Sequence, residues 1–452
     1  MDPATKVAFR AGPSRARLAP GPIPGRRDVK ADMQLVPVSM PRVAAASFIG
    51  GLLEWYDFYI FAIATALVFG DVFFPPGDAL LNTMAAFGAF ASGFLARPLG
   101  GIIFGHIGDK VGRKACLLAT LLIIGVCTFL IGLLPGYARI GFWAPVLLVV
   151  LRVMQGIGLG GEYGGASLMT IEHAPLHQRG FWGSLPQAAS PAGLLLANSV
   201  FGLCALLPPA DFIAWGWRIP FLLCSVMLAV AVYIRLNIAE TPEFRRAEAR
   251  AEKGSAPLVQ MWRTHRRNFI LATGVRLSET VSSNLIKSFG LTYVTLQLDL
   301  ARGTAVGALL AASLVGLVAM PLFGWLGDRL GARAITLGGN ILLILLAVPF
   351  FALLDSKAPV AVWVGFIAFF SLGPMLLLSV QATYFTQLFR TNVRYTGLSA
   401  AYQISSILGG FTPLIALSLL KWSGGSSLPV AMFLAAVAAV SLGCAMGTRM
   451  RG

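Results

Sequence analysis

Glu54 and Asp57 stand three residues apart inside an otherwise apolar run, so on a helix both carboxylates share one face. Two carboxylates that close repel when both are charged, which suits the pair to holding a proton and giving it up. Arg152 and Gln155 show the same spacing in a later run. A guanidinium there can neutralise Asp57 or grip a substrate carboxylate through two parallel hydrogen bonds, with Gln155 beside it. Arg276, Glu279 and Lys287 fall on about one face of a third run. Arg276 and Glu279 can cancel each other. Lys287 has no partner nearby in sequence, which leaves it for an anionic ligand or for an interfacial position reached by its long stem. Tyr56, Gln381, Tyr384, Gln387 and Gln403 add hydrogen-bonding groups that either serve a ligand or join helices. Neither a metal-ligand set nor a nucleophile–base pair is visible, so no metal, cofactor or catalysis is expected. The five cysteines lie in apolar runs without CxxC spacing and read as small packing residues.

These groups need apolar elements around them, and the composition supplies little else. Of the 452 residues, 57% are hydrophobic and 12% charged, with a mean hydropathy of +0.77. A soluble domain carries about a quarter charged residues. That shortage argues against a soluble enzyme, a nucleic-acid binder or a disordered chain. From residue 43 onward, runs of about 20 apolar residues recur, each long enough to cross a bilayer. Twelve can be read, the first near 44–70 and the last near 428–448. Backbone groups cannot stay unpaired in lipid, so each must be helical. The expected organisation is a basic tail over 1–42, a six-helix bundle over 43–237, a polar linker over 238–267 and a second six-helix bundle over 268–452.

The charges orient these spans. The net charge of +16 is spread through short stretches between apolar runs. With the amino terminus inside and the sides alternating, 25 Lys and Arg fall inside and 4 outside, with 6 in or at the ends of spans. Such a bias places both termini in the cytoplasm and favours an even number of crossings.

An internal repeat supports the division into halves. Gly105-His-Ile-Gly-Asp109-Lys-Val-Gly112-Arg113-Lys114 follows the second span, and Gly324-Trp-Leu-Gly-Asp328-Arg329-Leu-Gly331-Ala332-Arg333 follows the eighth, 219 residues later. Parallel halves related by an axis along the membrane normal point to a rocking transporter. The glycines allow a tight turn and close helix approach, the aspartates can face helix N-termini or a basic partner, and the basic residues hold the turn at the lipid surface. Ala332 stands where the first copy has Arg113, which leaves the second copy one charge short. Glu162, in the strip Gly160-Gly161-Glu162-Tyr163-Gly164-Gly165, is expected at the same gate with Arg97 or Arg113 as its partner.

The chain resembles the major facilitator superfamily throughout its length, and most closely the metabolite:proton symporter family. The resemblance is carried by Gly51-Leu-Leu-Glu54-Trp55-Tyr56-Asp57-Phe58-Tyr59, Arg97-Pro98-Leu99-Gly100-Gly101, Arg152-Val-Met-Gln155-Gly156, Trp215-Gly216-Trp217-Arg218-Ile219-Pro220-Phe221 and Glu240-Thr-Pro-Glu243-Phe244. It implies an all-α membrane protein of twelve transmembrane helices in two pseudo-symmetric six-helix bundles. It further implies proton-driven uptake of small organic acids or betaines, with the fourth-span arginine tied to coupling. Arg276-Leu-Ser-Glu279 looks like the shikimate-type carriers. The family's antiporter signature has only a faint echo in Ser190-Pro191-Ala192-Gly193.

The expected function is therefore import of a small organic anion together with a proton, by a monomer in the bacterial inner membrane. Glu54, Asp57 and Glu279 are the expected proton-coupling acids. Arg152, Gln155, Arg276, Lys287, Tyr56 and Gln381 are the expected substrate ligands. Gly105, Asp109, Gly112, Arg113, Lys114, Gly324, Asp328, Arg329, Arg333, Arg97 and Glu162 form the expected cytoplasmic gate. Acids and cations are expected to converge in one chamber between the bundles. The rival carrier would take a zwitterion such as betaine or proline, its quaternary ammonium caged by Trp55, Tyr56 and Tyr59. A channel or an intramembrane enzyme fits the charges and the repeat less well.

Overall fold

Every long apolar run of the sequence is a helix in the computed structural model, which describes residues 40–77, 79–111, 113–236 and 257–448. We number twelve rods among them. In the first half, α1 spans Met40–Ala64 and continues through a π-helical turn at Thr65–Phe69 to Gly70–Phe73. The others are α2 (Ala79–Val111), α3 (Arg113–Leu133), α4 (Trp143–His173), α5 (Arg179–Cys204) and α6 (Ile219–Leu236). In the second half, α7 spans Pro257–Asn284 and continues through π-helical turns at Leu285–Gly290 and Tyr293–Gln297. Then come α8 (Arg302–Leu330) and α9 (Ala332–Asp355). The tenth rod, α10, joins Pro359–Phe370 to Leu376–Thr386 through a π-turn at Ser371–Met375, where Pro374 removes one backbone donor. Last are α11 (Arg394–Trp422) and α12 (Leu428–Gly447). No strand occurs among the described residues. Eight described helices are long and apolar enough to cross a membrane by length and composition alone. Outward faces carry exposed Val226, Val318, Leu345, Val360 and Leu414, as lipid-facing surfaces should.

Helix packing repeats with a shift of six. The pair α1–α5 is matched by α7–α11, α2–α4 by α8–α10, and α3–α6 by α9–α12. The joints between halves obey the same rule: α2 packs on α11 as α8 packs on α5. The chain is thus two pseudo-symmetric six-helix bundles.

Two features differ from the sequence expectation. The repeated motif is not a loop from its first glycine. Gly105–Val111 continues α2, and Gly324–Leu330 continues α8. In the second copy the reversal is confined to Gly331, whose φ of +90° suits a residue without a side chain. Neighbouring helix ends accept most of the motif as extra turns, so one residue suffices. The first copy's Gly112 lies outside the described residues. Second, α7 begins at Pro257, inside the stretch expected to be linker.

Candidate functional site

The charged groups of the spans form three clusters rather than one chamber. The first lies inside the first bundle. Asp57 on α1 is fully buried and accepts hydrogen bonds from the Thr128 hydroxyl on α3 and from Gln155 Nε2 on α4, the latter at 2.5 Å. Gln155 Nε2 also reaches the Thr128 oxygen at 2.8 Å. Gln155 Oε1 accepts from Arg152 Nη1 at 2.5 Å. Gln155 therefore stands between the acid and the guanidinium that the sequence suggested would meet directly. Arg152 is fully buried, with its Cζ 4.1 Å from the Phe61 ring centroid and 4.9 Å from that of Phe90. Among the described residues, its Nε and Nη2 have no hydrogen-bond partner. Gly93 makes room for it, since a Cβ there would lie 2.7 Å from Nε. The Glu54 side chain lies outside the described residues.

The second cluster belongs to the second bundle. Arg276 Nη1 on α7 donates to the Tyr402 carbonyl at 2.8 Å and to the hydroxyls of Ser405 and Ser406 at 2.8 and 2.9 Å, all on α11. Its Cζ sits 3.3 Å from the Tyr402 ring centroid. Nε lies 3.4 Å from Glu279 Oε2. Arg276 is thus a clamp joining α7 to α11, and Glu279 is its ion-pair partner within α7.

The third cluster bridges the halves. Lys287 sits in the first π-helical turn of α7. Its Nζ lies 5.1 Å from the Trp55 ring centroid, 5.6 Å from Tyr59 and 5.5 Å from Phe370. Trp55 and Tyr59 stack on each other on α1, with ring centroids 5.9 Å apart, and Phe370 belongs to α10. Lys287 makes no hydrogen bond or ion pair with a described residue. Trp55 and Tyr59 are each two positions from Asp57, about 200° around α1. Asp57 and Lys287 therefore address opposite faces of that helix. The charges expected in a single chamber are divided because α1 stands between Asp57 on one face and Lys287 on the other.

Tyr56, an expected ligand, and Tyr384, which the sequence left open between a ligand and an interhelical contact, both bond within the protein. Tyr56 is buried against α6, donating its hydroxyl to the Pro220 carbonyl at 2.9 Å. Tyr384 shares a hydrogen bond with the Thr448 hydroxyl at 2.6 Å. Gln381 is buried on α10. The buried cysteines 116, 127, 204 and 224 serve as packing, and Cys444 is partly buried. Among the described residues, no group of His, Cys, Asp and Glu could hold a metal ion.

At the end of the bundle that carries the repeated motif, the halves lock together. Asp328 on α8 accepts from the backbone N–H groups of Gly180 and Phe181, at 2.5 and 2.8 Å, at the start of α5, where the helix presents free donors and a positive dipole end. Gly324 lets α8 approach, since a Cβ there would lie 2.5 Å from the Gly180 carbonyl. Gly105 plays the equivalent part on α2, where a Cβ would come 2.8 Å from Thr396 Cα on α11. Tyr395 donates to the Gly161 carbonyl at 2.7 Å, and Gln403 Nε2 to that of Leu159 at 3.1 Å. Arg394 pairs with Glu172 at 3.1 Å. The sequence reading named Glu162 for this gate and missed Glu172 and Arg394. Their partnership spans 222 residues, so no local spacing announces it. Arg97 is buried on α2 with its Cζ 4.6 Å from the Phe94 centroid. Lys114 donates to the Leu236 carbonyl at 2.7 Å, Arg329 stacks on Trp325, and Arg333 donates to the Met446 carbonyl. These three brace their own bundles. The side chains of Asp109, Arg113 and Glu162 lie outside the described residues.

The Asp328 contact carries a prediction. Asp328→Ala leaves two N–H groups at the α5 start unanswered, a loss of about 1–3 kcal/mol from the closed form. A cysteine placed at Ser184, which Gly324 now covers, should react with an impermeant maleimide about tenfold faster in the Asp328→Ala background. An unchanged rate would mean that Asp328 does not hold this end shut.

Residues 43–269 match the family model described as sugar (and other) transporter. A shikimate transporter of Escherichia coli (strain K12) is 37% identical over 406 residues, covering 88% of this chain and 92% of that protein. The chain belongs to the major facilitator superfamily. An inner membrane metabolite transport protein of the same strain is 39% identical, with 89% of this chain and 93% of that protein covered. A proline/betaine transporter of Salmonella typhimurium is 33% identical, with 89% and 82% covered. The solved proton:xylose symporter of the superfamily, bound to 6-bromo-6-deoxy-D-glucose, superposes with a TM-score of 0.73 at 16% identity, covering 90% of this chain and 94% of that one. At that identity the likeness concerns the fold. As a major facilitator transporter, this chain moves a small solute by rocking two bundles about a site between them. Lys287 of α7 lies over the Trp55 and Tyr59 rings of α1, where the two bundles face each other.

Proposed function

We propose that the chain imports a small organic anion with a proton, working as a monomer in the bacterial inner membrane with both termini and the repeated motifs on the cytoplasmic side. The observation that carries this reading is the pairing of a buried acid on one face of α1 with a cation on the other that makes no hydrogen bond or ion pair with a described residue. Asp57 is the proton carrier. Lys287 receives the substrate carboxylate between the halves.

The surroundings of Asp57 suit both of its protonation states. When it is charged, Thr128 and Gln155 donate to its two oxygens. When it is protonated, its hydroxyl can donate to Thr128, because the Thr128 hydroxyl has a second acceptor, the Ile124 carbonyl at 2.8 Å. Protonation thus costs no buried hydrogen bond, and it removes the negative end of the chain Asp57, Gln155, Arg152. That loosens the hold of α3 and α4 on α1. Substrate anion on the other face neutralises Lys287. With both faces neutral, α1 can tilt with its bundle and the gate at Asp328 and Glu172–Arg394 can open. Arg276 and Glu279 keep α7 and α11 moving as one piece, so Glu279 is assigned to positioning. Coupling then travels through a helix and not through direct contact of proton site and substrate.

A second reading, transport of a betaine-like zwitterion, draws on the stacked Trp55 and Tyr59 and on the betaine-transporting relatives. Uptake into proteoliposomes with the outside acidified separates the two. Shikimate, 2-oxoglutarate or citrate should enter about tenfold faster with an inward gradient of about one pH unit than without it. Glycine betaine should not compete. Uptake indifferent to the gradient, or of betaine alone, would overturn the proposal.

A further inference from the structure

Three aromatic rings from both halves face Lys287 at 5.1–5.6 Å. Ring faces at that distance are an arrangement suited to a cation, and the same cage that holds an ammonium holds a quaternary ammonium. Here the cage is already filled by the chain's own side chain. We propose that Lys287 is a tethered cation that selects the charge class of the substrate: it blocks betaine-like ligands from the Trp55, Tyr59 and Phe370 cage and converts that cage into a site for anions. This inference rests on the proposed anion import and deepens it by assigning the selectivity to one residue.

The geometry supports each part. The lysine is only partly buried, so a ligand can reach it. It has no hydrogen bond or ion pair with a described residue, so its three donors remain for a carboxylate. The cation–π contacts hold the ammonium without using those donors. Tyr59 is itself steadied by Ser190, whose hydroxyl lies 3.5 Å from its own, and by the edge of Phe58 at 5.3 Å. The cage therefore does not depend on Lys287 to exist. Glu279 and Arg276 are the charged neighbours on α7, and they are engaged with each other. Removing the ammonium leaves ring faces of the right chemistry for a trimethylammonium group.

The test is the full-length chain in proteoliposomes, unaltered and with Lys287→Met, Lys287→Gln or Lys287→Arg. Anion uptake by the unaltered chain tests the functional reading alone. For the selectivity claim, Lys287→Met and Lys287→Gln should each lose shikimate, 2-oxoglutarate and citrate uptake by at least about tenfold and gain glycine betaine counterflow by about tenfold, as expected when a charged contact is removed and a cation–π box is opened. Lys287→Arg should keep the anion preference. Two neutral variants without any betaine gain would overturn the proposal, as would undiminished anion uptake. A measurement on the unaltered protein covers the case in which the neutral variants fail to fold. Acylation of Lys287, followed by mass spectrometry, should slow at least about threefold with saturating anion and stay unchanged with glycine betaine. Equal protection by both, or by neither, would also sink the claim.

Discussion

Asp57→Asn abolishes uphill accumulation of substrate driven by a pH gradient while exchange of labelled substrate across the membrane continues. The expected size follows from thermodynamics. A gradient of about two pH units sustains about 100-fold accumulation per coupled proton, and an uncoupled carrier sustains none. The variant should keep its fold because asparagine fits the same hydrogen bonds. Its oxygen can accept from Gln155, and its amide can donate to Thr128, which turns its own hydrogen to the Ile124 carbonyl. The substitution therefore mimics the protonated acid and freezes the carrier in that state. Counterflow and gradient-driven uptake, measured on the same vesicles, read the two properties separately. Full accumulation by Asp57→Asn would remove this residue from the coupling scheme.

Arg276→Ala has the largest expected effect on stability. It removes three hydrogen bonds to α11 and leaves Glu279 buried without its cation. Breaking such a buried pair from one side costs about 3–5 kcal/mol. Much of that cost is the stranded carboxylate, so Arg276→Ala with Glu279→Gln should recover at least about 1 kcal/mol of it. Thermal unfolding in detergent measures both. Strict additivity of the two changes would mean that the pair is not coupled, and that Arg276 acts only through Tyr402, Ser405 and Ser406.

The three clusters also differ in how much of each the sequence shows. Arg276 and Glu279 are local, three residues apart on one helix, and their partnership follows from helical geometry. Lys287 was legible for the opposite reason: nothing near it in sequence could neutralise it. Asp57 and Arg152 are both visible as costly charges in apolar runs, but that Gln155 bonds to both of them is not. That link depends on which face of α1 meets α4. The amphipathic pattern cannot supply this in a helix whose every face is buried by protein or lipid. The contact of Tyr56 with Pro220 depends on the same rotation, since a tyrosine next to an acid in sequence points about 100° away from it on a helix.

The sequence by itself determined the number of helices, the division into two repeats and the presence of acids and cations within the spans. Hydrophobic length and the duplicated motif depend only on local composition, and the bilayer tolerates no alternative to helices. Tertiary structure alone decided three things: that α1 separates the buried Asp57 from Lys287, that Glu172 and Arg394 pair across the two halves, and that the motif glycines are approach points between helices more than turns. Each of these depends on the rotation and crossing of rods far apart in the chain. In lipid, those are fixed by packing and interhelical hydrogen bonds, which leave no periodic trace in the sequence.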